Sequence, residues 1–285
     1  MDLRGQAAIV GIGEIPTARA YPGRSEFSLY AEAFRLALAD AGLRKQDIDG
    51  LFCEPRGAGA GGSPAVMAEH LGLRPPLFST GVSEMGATGA TATLMASLAV
   101  STGMCNYALV VLGAGRAEGP PPGGGPATQA SEFESTFGPA PGAGTHYALM
   151  YQRHMYEYGS KPEQFAKIAA DQRFNALNNP NSAFKGQPIT VEDVLNSRYV
   201  NSPLHLLECV MPSAGAAACI VTTAERARAL TKRPVYILGG GIEQFADNVG
   251  ERPRITVAPT GGSARRAFAM AGYNPSDMEF AEFYD

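Results

Sequence analysis

A layered α/β fold with duplicated βαβ halves, the second of them incomplete, is what this sequence predicts. Three observations carry that prediction. Short apolar runs alternate with segments of helical periodicity along most of the chain. The run Tyr107-Ala-Leu-Val-Val-Leu-Gly is almost continuously apolar, as in a strand covered on both faces. The opening strand–helix pattern also recurs about 230 residues later.

Ala7-Ala-Ile-Val-Gly-Ile-Gly reads as a buried strand ending in glycines. Residues 25–41 follow with Leu29, Ala33, Leu36 and Ala37 at helical spacing and Gly42 as stop signal. Asp47-Ile-Asp-Gly-Leu-Phe then predicts a short strand entered through acidic residues, completing a βαβ unit. A short helix is expected over 65–72 and a strand over 76–82. Residues 88–102 form a long Ala/Thr/Leu-rich helix with few charges, which predicts burial on most sides. Glycine, proline and alanine dominate residues 115–145, the composition of a loop or a functional lid. Helical patterning returns at 146–158 and 162–178 and is broken by Asn179-Pro180. Thr190 and Asp193 form an N-cap pair ahead of another helix. Ala216 to Thr222 predicts a buried strand, and Glu225 to Leu230 a short helix.

The repeat is specific in position. Ala37, Ala39, Ala41, Gly42 and Asp47 recur at an offset of 230 as Ala267, Ala269, Ala271, Gly272 and Asp277. Upstream, Ala-Ile-Val-Gly-Ile-Gly (8–13) is echoed by Tyr-Ile-Leu-Gly-Gly-Gly (236–241) at an offset of 228. Two unrelated βαβ units sharing helix-end chemistry is the competing reading. A duplication places the first half at residues 1–231, with a loop insertion at about 115–205, and the start of the second half at 232–285. On that reading we expect the chain to stop partway through its second half, because the second copy needs as many core residues as the first.

Composition narrows the function classes. With 23 Lys+Arg against 27 Asp+Glu, the net charge is −4, and no basic stripe is available for nucleic acid. No apolar run approaches a bilayer span, and the first residues lack the apolar core of a signal peptide. The four cysteines (Cys53, Cys105, Cys209, Cys219) have no metal-ligand spacing, so no metal site is expected. They read as free thiols of a reducing compartment, and the localisation expected is cytoplasmic.

Ile9-Val-Gly-Ile-Gly-Glu, Ala39-Asp-Ala-Gly-Leu with Asp47-Ile-Asp-Gly-Leu, and Pro188-Ile-Thr-Val-Glu-Asp-Val together resemble the thiolase superfamily. Within it the likeness is to the lipid-transfer-protein type, the branch related to sterol carrier protein thiolases. Asn196-Ser-Arg, Pro203-Leu-His-Leu-Leu-Glu-Cys and Gly215-Ala-Ala-Ala extend it over essentially the whole chain. The resemblance implies the layered thiolase-like fold. Thiolases place a nucleophilic cysteine at the start of a buried helix, whose dipole lowers the thiol pKa. Here the matching segment is Val82-Ser-Glu-Met-Gly-Ala-Thr-Gly, and Gly86 stands at the cysteine position. Ala214 stands where many members have an acidic residue.

Glu282-Phe-Tyr-Asp matches the thiolase segment that contributes an Asn or His to the oxyanion site, with Tyr284 at that position. On both counts the chain is similar to the cysteine-less steroid side-chain aldolases. The resemblance implies retro-aldol cleavage of a β-hydroxyacyl-CoA, a homodimer and a small OB-fold partner protein. The coenzyme A thioester is the substrate, and no further cofactor is expected. Such chemistry needs a base for the β-hydroxyl and donors for the enolate oxygen. Tyr284 is the candidate catalytic residue, against an ordinary strand-end tyrosine. Gly86 and Gly89 are substrate-binding candidates through their backbone N–H groups. His146 is a third, lining an acyl pocket, against a solvated helix-start histidine. His70 and His205 read as structural. Ser83 and Thr88 read as caps, and the tyrosines and methionines of 146–158 read as either core or pocket. Acyl transfer by a cysteine beyond residue 285 and a non-catalytic scaffold binding CoA esters or a partner are the other readings.

Overall fold

The computed structural model describes residues 3–54, 63–75, 77–114, 143–230, 233–244 and 252–283. Residues 115–142 of the glycine/proline-rich segment lie outside this set. In chain order the elements are β1 (Ala7–Glu14), α1 (Glu26–Ala41), β2 (Gly50–Cys53), α2 (Pro64–Leu71), β3 (Phe78–Gly81), α3 (Thr88–Ser101) and β4 (Tyr107–Ala114). Then follow α4 (Ala143–Tyr158), α5 (Pro162–Ala176), α6 (Val191–Asn196), β5 (Tyr199–Asn201) and β6 (Leu204–His205). The last are β7 (Gly215–Thr223), α7 (Ala224–Ala229), β8 (Val235–Ile237) and α8 (Thr260–Ala271). Two units result: Met1–Gly115 with Ser213–Glu243 and Thr260–Asp285, and Arg116–Pro212 with Gln244–Pro259.

The first unit is organised by a six-stranded mixed sheet in the order β3-β2-β4-β7-β1-β8. β2 runs parallel to β3 and β4, while β7 is antiparallel to β4 and β1. Helices cover both faces, which is why β4 can be apolar at every position: Ala108, Leu109, Val110 and Val111 are all buried. On one face Leu29, Ala33, Phe34 and Ala37 of α1 pack with Val10, Leu51, Leu109 and Ile220. On the other, Ala92, Ala96, Ala99 and Val100 of α3 pack with Phe52, Ala108, Val110 and Val221. Helix α1 starts at Ser25, whose side chain accepts the Ser28 N–H, and stops at Gly42, which takes φ = 69°.

The βαβ unit is present with a gap between its strands, and the expected strand entry at Asp47 needs correction. β1 and β2 share a direction but are not neighbours, because β4 and β7 lie between them. β7 returns antiparallel from far along the chain and seats its buried Ile220 and Val221 in the middle of the sheet. Asp47 does not open a strand. Its carboxylate accepts the Arg44 N–H at 2.8 Å and closes a 3-10 turn over Lys45–Asp47. Asp49 leads into β2 instead, and its carboxylate accepts the Asn106 and Tyr107 N–H groups at the start of β4.

The duplication is written into the packing. A methyl carbon on Gly13 would lie 2.1 Å from the Ala33 carbonyl oxygen, and one on Gly11 2.5 Å from that of Ala37. In the second copy, a methyl on Gly241 would lie 2.1 Å from the Ser263 carbonyl oxygen and one on Gly239 2.4 Å from that of Ala267. The strand glycines are 228 residues apart and their helix contacts 230 apart, the offsets of the sequence repeat. Unrelated units sharing only helix-end chemistry would have no reason to reproduce this register. Gly272 takes φ = 67° as Gly42 does, and Asp277 caps Asn274 as Asp47 caps Arg44.

In the second unit, α4 and α5 pack Tyr151 on Phe165 with ring centroids 3.9 Å apart. The Thr190 cap is as expected: its hydroxyl accepts the Asp193 N–H at 3.1 Å, and the Asp193 carboxylate accepts the Thr190 N–H at 2.8 Å. Helix α5 ends at Ala176, before the Asn179-Pro180 break. Glu157 on α4 is held by Arg153 and Arg254, which draw its carboxyl below the usual range, Arg254 contributing most. Among the described residues no helix is long and apolar enough to cross a membrane.

Candidate functional site: the start of the buried helix

The chain leaves β3 at Gly81 and reaches α3 through Val82 and a 3-10 turn, Met85–Ala87. Val82 is buried in the α3-side core and anchors the turn from below. Gly86, in the middle of the turn, is exposed, whereas Thr88 immediately after it is buried. Two hydrogen bonds close the turn. The Glu84 N–H donates to Thr88 Oγ1 at 2.9 Å, and the Ala87 N–H donates to the Glu84 carbonyl at 3.0 Å. Thr88 is therefore not the cap expected of it: Ala87 holds the N-cap position, and the Thr88 hydroxyl, from the first residue of α3, reaches back across the whole turn. Ala87 at the N-cap gives the helix no side-chain hydrogen bond. A helix start of this kind carries partial positive charge and aims its first N–H groups outward.

Gly89 lies one residue into this first turn of α3. A methyl there would sit 3.3 Å from Leu112 Cδ1, so the glycine lets the helix approach β4 closely. The Thr93 hydroxyl donates to the Gly89 carbonyl at 2.8 Å and lies 3.9 Å from Cys219 Sγ. The approach of Gly89 to Leu112 and of Thr93 to Cys219 had no signal in the sequence, because each joins α3 to a strand outside its own segment.

No cysteine occupies the turn. Burial pushes Cys53 and Cys219 up to about 11, with the Thr93 hydroxyl opposing weakly at Cys219. Burial and then the Asp49 charge push Cys105 to about 12, and burial also raises Cys209. Each thiol is therefore protonated, and a poor nucleophile, near neutrality. At pH 8 we expect iodoacetamide to label the folded chain slowly at all four sites and the urea-unfolded chain rapidly. Because the folded values of Cys53, Cys105 and Cys219 exceed the ordinary thiol value, their contribution to stability is complete below about pH 9. It is lost as the pH rises through 11 to 12. Urea titrations at pH 8 and pH 10.5 measure that decline.

The remaining candidates fall as follows. Gly86 and Gly89 come together at the start of α3, in the first unit. His146 is half-buried on α4, in the second unit. Tyr284 lies outside the described residues; Phe283 before it is exposed. His70 stacks on Phe27 at 3.7 Å, and buried His205 donates through Nδ1 to the Ser197 carbonyl at 2.7 Å, so both are structural as expected. His154 is built into the α4–α5 connection, with Nδ1 3.0 Å from Ser160 Oγ and its ring 4.6 Å from Tyr158. The aromatic stripe of α4 is divided, with Tyr151 buried in the core and Tyr147, Tyr156 and Tyr158 exposed. Among the described residues no group of three or more His, Cys, Asp or Glu side chains is placed to hold a metal ion.

The chain thus uses one strand–helix unit twice and enters a buried helix, α3, through an exposed turn. No family model matches the chain. It is 33% identical, over 99% of its length and 76% of the relative's, to the 17-hydroxy-3-oxo-4-pregnene-20-carboxyl-CoA lyase of Mycobacterium tuberculosis. It is 34% identical, over 99% of its length, to 75% of the steroid side-chain-cleaving aldolase of Thermomonospora curvata. An acetyl-CoA acetyltransferase of Methanothermobacter thermautotrophicus is 34% identical over 90% of this chain and 68% of its own. Among solved structures, the Ltp2-ChsH2(DUF35) aldolase superposes with a TM-score of 0.86 at 33% identity, covering 96% of this chain and 72% of that one. The chain belongs to the thiolase superfamily, in the lipid-transfer-protein branch that includes the steroid side-chain-cleaving aldolases.

Proposed function

We propose that this enzyme cleaves the Cα–Cβ bond of a lipid-type β-hydroxyacyl-CoA by a retro-aldol route that uses no cysteine. The observation carrying this reading is the exposed glycine, Gly86, at the start of α3 where thiolases hold their nucleophile. A base removes the β-hydroxyl proton, the oxygen's electron pair forms a C=O bond at Cβ, and the Cα–Cβ pair passes to the thioester as an enolate. Protonation at Cα then yields a shorter acyl-CoA and a free ketone or aldehyde. No covalent bond to the protein forms at any step.

Tyr284 is assigned the base. An ordinary tyrosine pKa of about 10 requires a site that stabilises the phenolate. The N–H groups of Gly86 and Gly89 are assigned to the thioester oxygen, where the helix start favours developing negative charge. His146 is assigned to the acyl pocket. The names of the two aldolase relatives support a steroid side chain as the acyl group. Coenzyme A enters as part of the substrate, with no further cofactor.

The same reading includes a small OB-fold partner, in line with the partner protein named in the ChsH2(DUF35) complex. It includes a homodimer through α3, whose Met95 and Leu98, with Met104 just beyond, are exposed apolar side chains. It also places the protein in the cytoplasm. The acetyltransferase relative supports acyl transfer as the second reading, which needs a nucleophilic cysteine outside the α3 turn. A scaffold that binds CoA esters without turnover is the third. Incubation with a 17-hydroxy steroid-20-carboxyl-CoA, with products separated by chromatography, tests all three. Retro-aldol cleavage releases a 17-ketosteroid and a short acyl-CoA in equal amounts. Free CoA without a ketone would favour acyl transfer, and unchanged substrate would favour the scaffold.

A further inference from the structure

We propose that Thr88 is a positioning residue for the cleavage, holding the turn that presents the Gly86 and Gly89 N–H groups to the thioester oxygen; this rests on the retro-aldol reading above. Thr88 is only 4% exposed although it sits directly beside exposed Gly86 and Ala87. Its hydroxyl accepts the Glu84 N–H at 2.9 Å, which ties the end of the β3 connection to the first turn of α3. Ala87 offers no side-chain cap, so this bond falls to a residue inside the helix rather than at its N-cap.

The neighbouring contacts explain why the turn needs such a tie. Gly86 and Gly89 remove two side chains from the segment, and glycine backbone is the most costly to immobilise. Without a cysteine there is no covalent intermediate to hold the substrate, so orientation of the oxygen depends on backbone donors alone. Within α3, Thr93 donates to the Gly89 carbonyl at 2.8 Å, and on the other side of the turn Val82 is fixed by burial. Thr88 lies between these anchors and sets the orientation of the peptide units at 85–88. A donor displaced by a fraction of an ångström loses much of its effect on an enolate oxygen.

The test compares Thr88→Val, which keeps the shape and removes the acceptor, with Thr88→Ser, which keeps the acceptor. Each is assayed as the full chain on the 17-hydroxy steroid-20-carboxyl-CoA, together with its melting temperature. We expect T88V to lower kcat by roughly 10- to 100-fold with KM within about threefold of the starting protein. T88S should recover most of that loss, even where removal of the buried methyl lowers its melting temperature more than T88V does. Equal kcat in T88V and the starting protein overturns the positioning role. So does a T88S loss as large as that of T88V, since packing and not the acceptor would then be responsible. A starting protein that forms no ketone overturns the retro-aldol reading and the Thr88 role with it, whereas an active starting protein with an unaffected T88V overturns the Thr88 role alone.

Discussion

Gly13→Ala is expected to destabilise the chain by about 3 kcal/mol or more, the upper end of what overpacking costs. The new methyl would lie 2.1 Å from the Ala33 carbonyl oxygen and 2.5 Å from the Ala37 nitrogen. Both are backbone atoms, so no rotamer change relieves the clash and α1 must move off the sheet. That movement would also disturb Leu29, Phe34 and Ala37 in the main core. Gly215→Ala is the matched control, since its nearest neighbour outside the adjoining residues is Thr17 Oγ1 at 3.8 Å. We expect it to change stability by less than about 1 kcal/mol. Urea denaturation of both variants measures the difference. A G13A variant as stable as G215A would mean that α1 and β1 are not in the close contact described.

The second large effect is on the chemistry. Tyr284→Phe is expected to lower kcat for ketone release by about 10²- to 10⁴-fold, the usual contribution of a positioned acid–base group. The ring is kept and only the hydroxyl is lost, so KM and the melting temperature should stay close to those of the starting protein. Steady-state kinetics with the steroid thioester provides the measurement. Full activity in Y284F would remove Tyr284 from the mechanism, while a matching fall in stability would return it to an ordinary strand-end tyrosine.

Much of the fold was legible because the signals are local. The Gly42 and Gly272 stops, the Thr190–Asp193 cap and the apolar run of β4 each depend on a few adjacent residues. The repeat was legible for a related reason: Gly11, Gly13, Gly239 and Gly241 are small because a helix backbone touches them, so the packing leaves a mark in composition. Strand order was not legible. β7 comes to lie between β4 and β1 by pairing over more than a hundred residues, and nothing in its own sequence names its neighbours. Asp47 misled for a similar reason, because an acid before an apolar run can close a turn or open a strand.

The candidate site was legible in what it lacks more than in what it contains. Gly86 stands where the resembling thiolase segment carries its nucleophile, and the structure places it exposed at the start of α3. The hydrogen bond from Glu84 to Thr88 was not legible, because a threonine at a helix start ordinarily caps forwards. The close approach of α3 to Leu112 that Gly89 permits, where a methyl would lie 3.3 Å from Leu112 Cδ1, likewise appears only when α3 is laid on the sheet.

The central claim, cleavage without a covalent intermediate, is tested most directly by intact-protein mass spectrometry on samples quenched during turnover. The retro-aldol account predicts that the 29.8 kDa chain keeps its unmodified mass while ketone accumulates. An added acyl mass that appears with substrate and maps to a cysteine would contradict it.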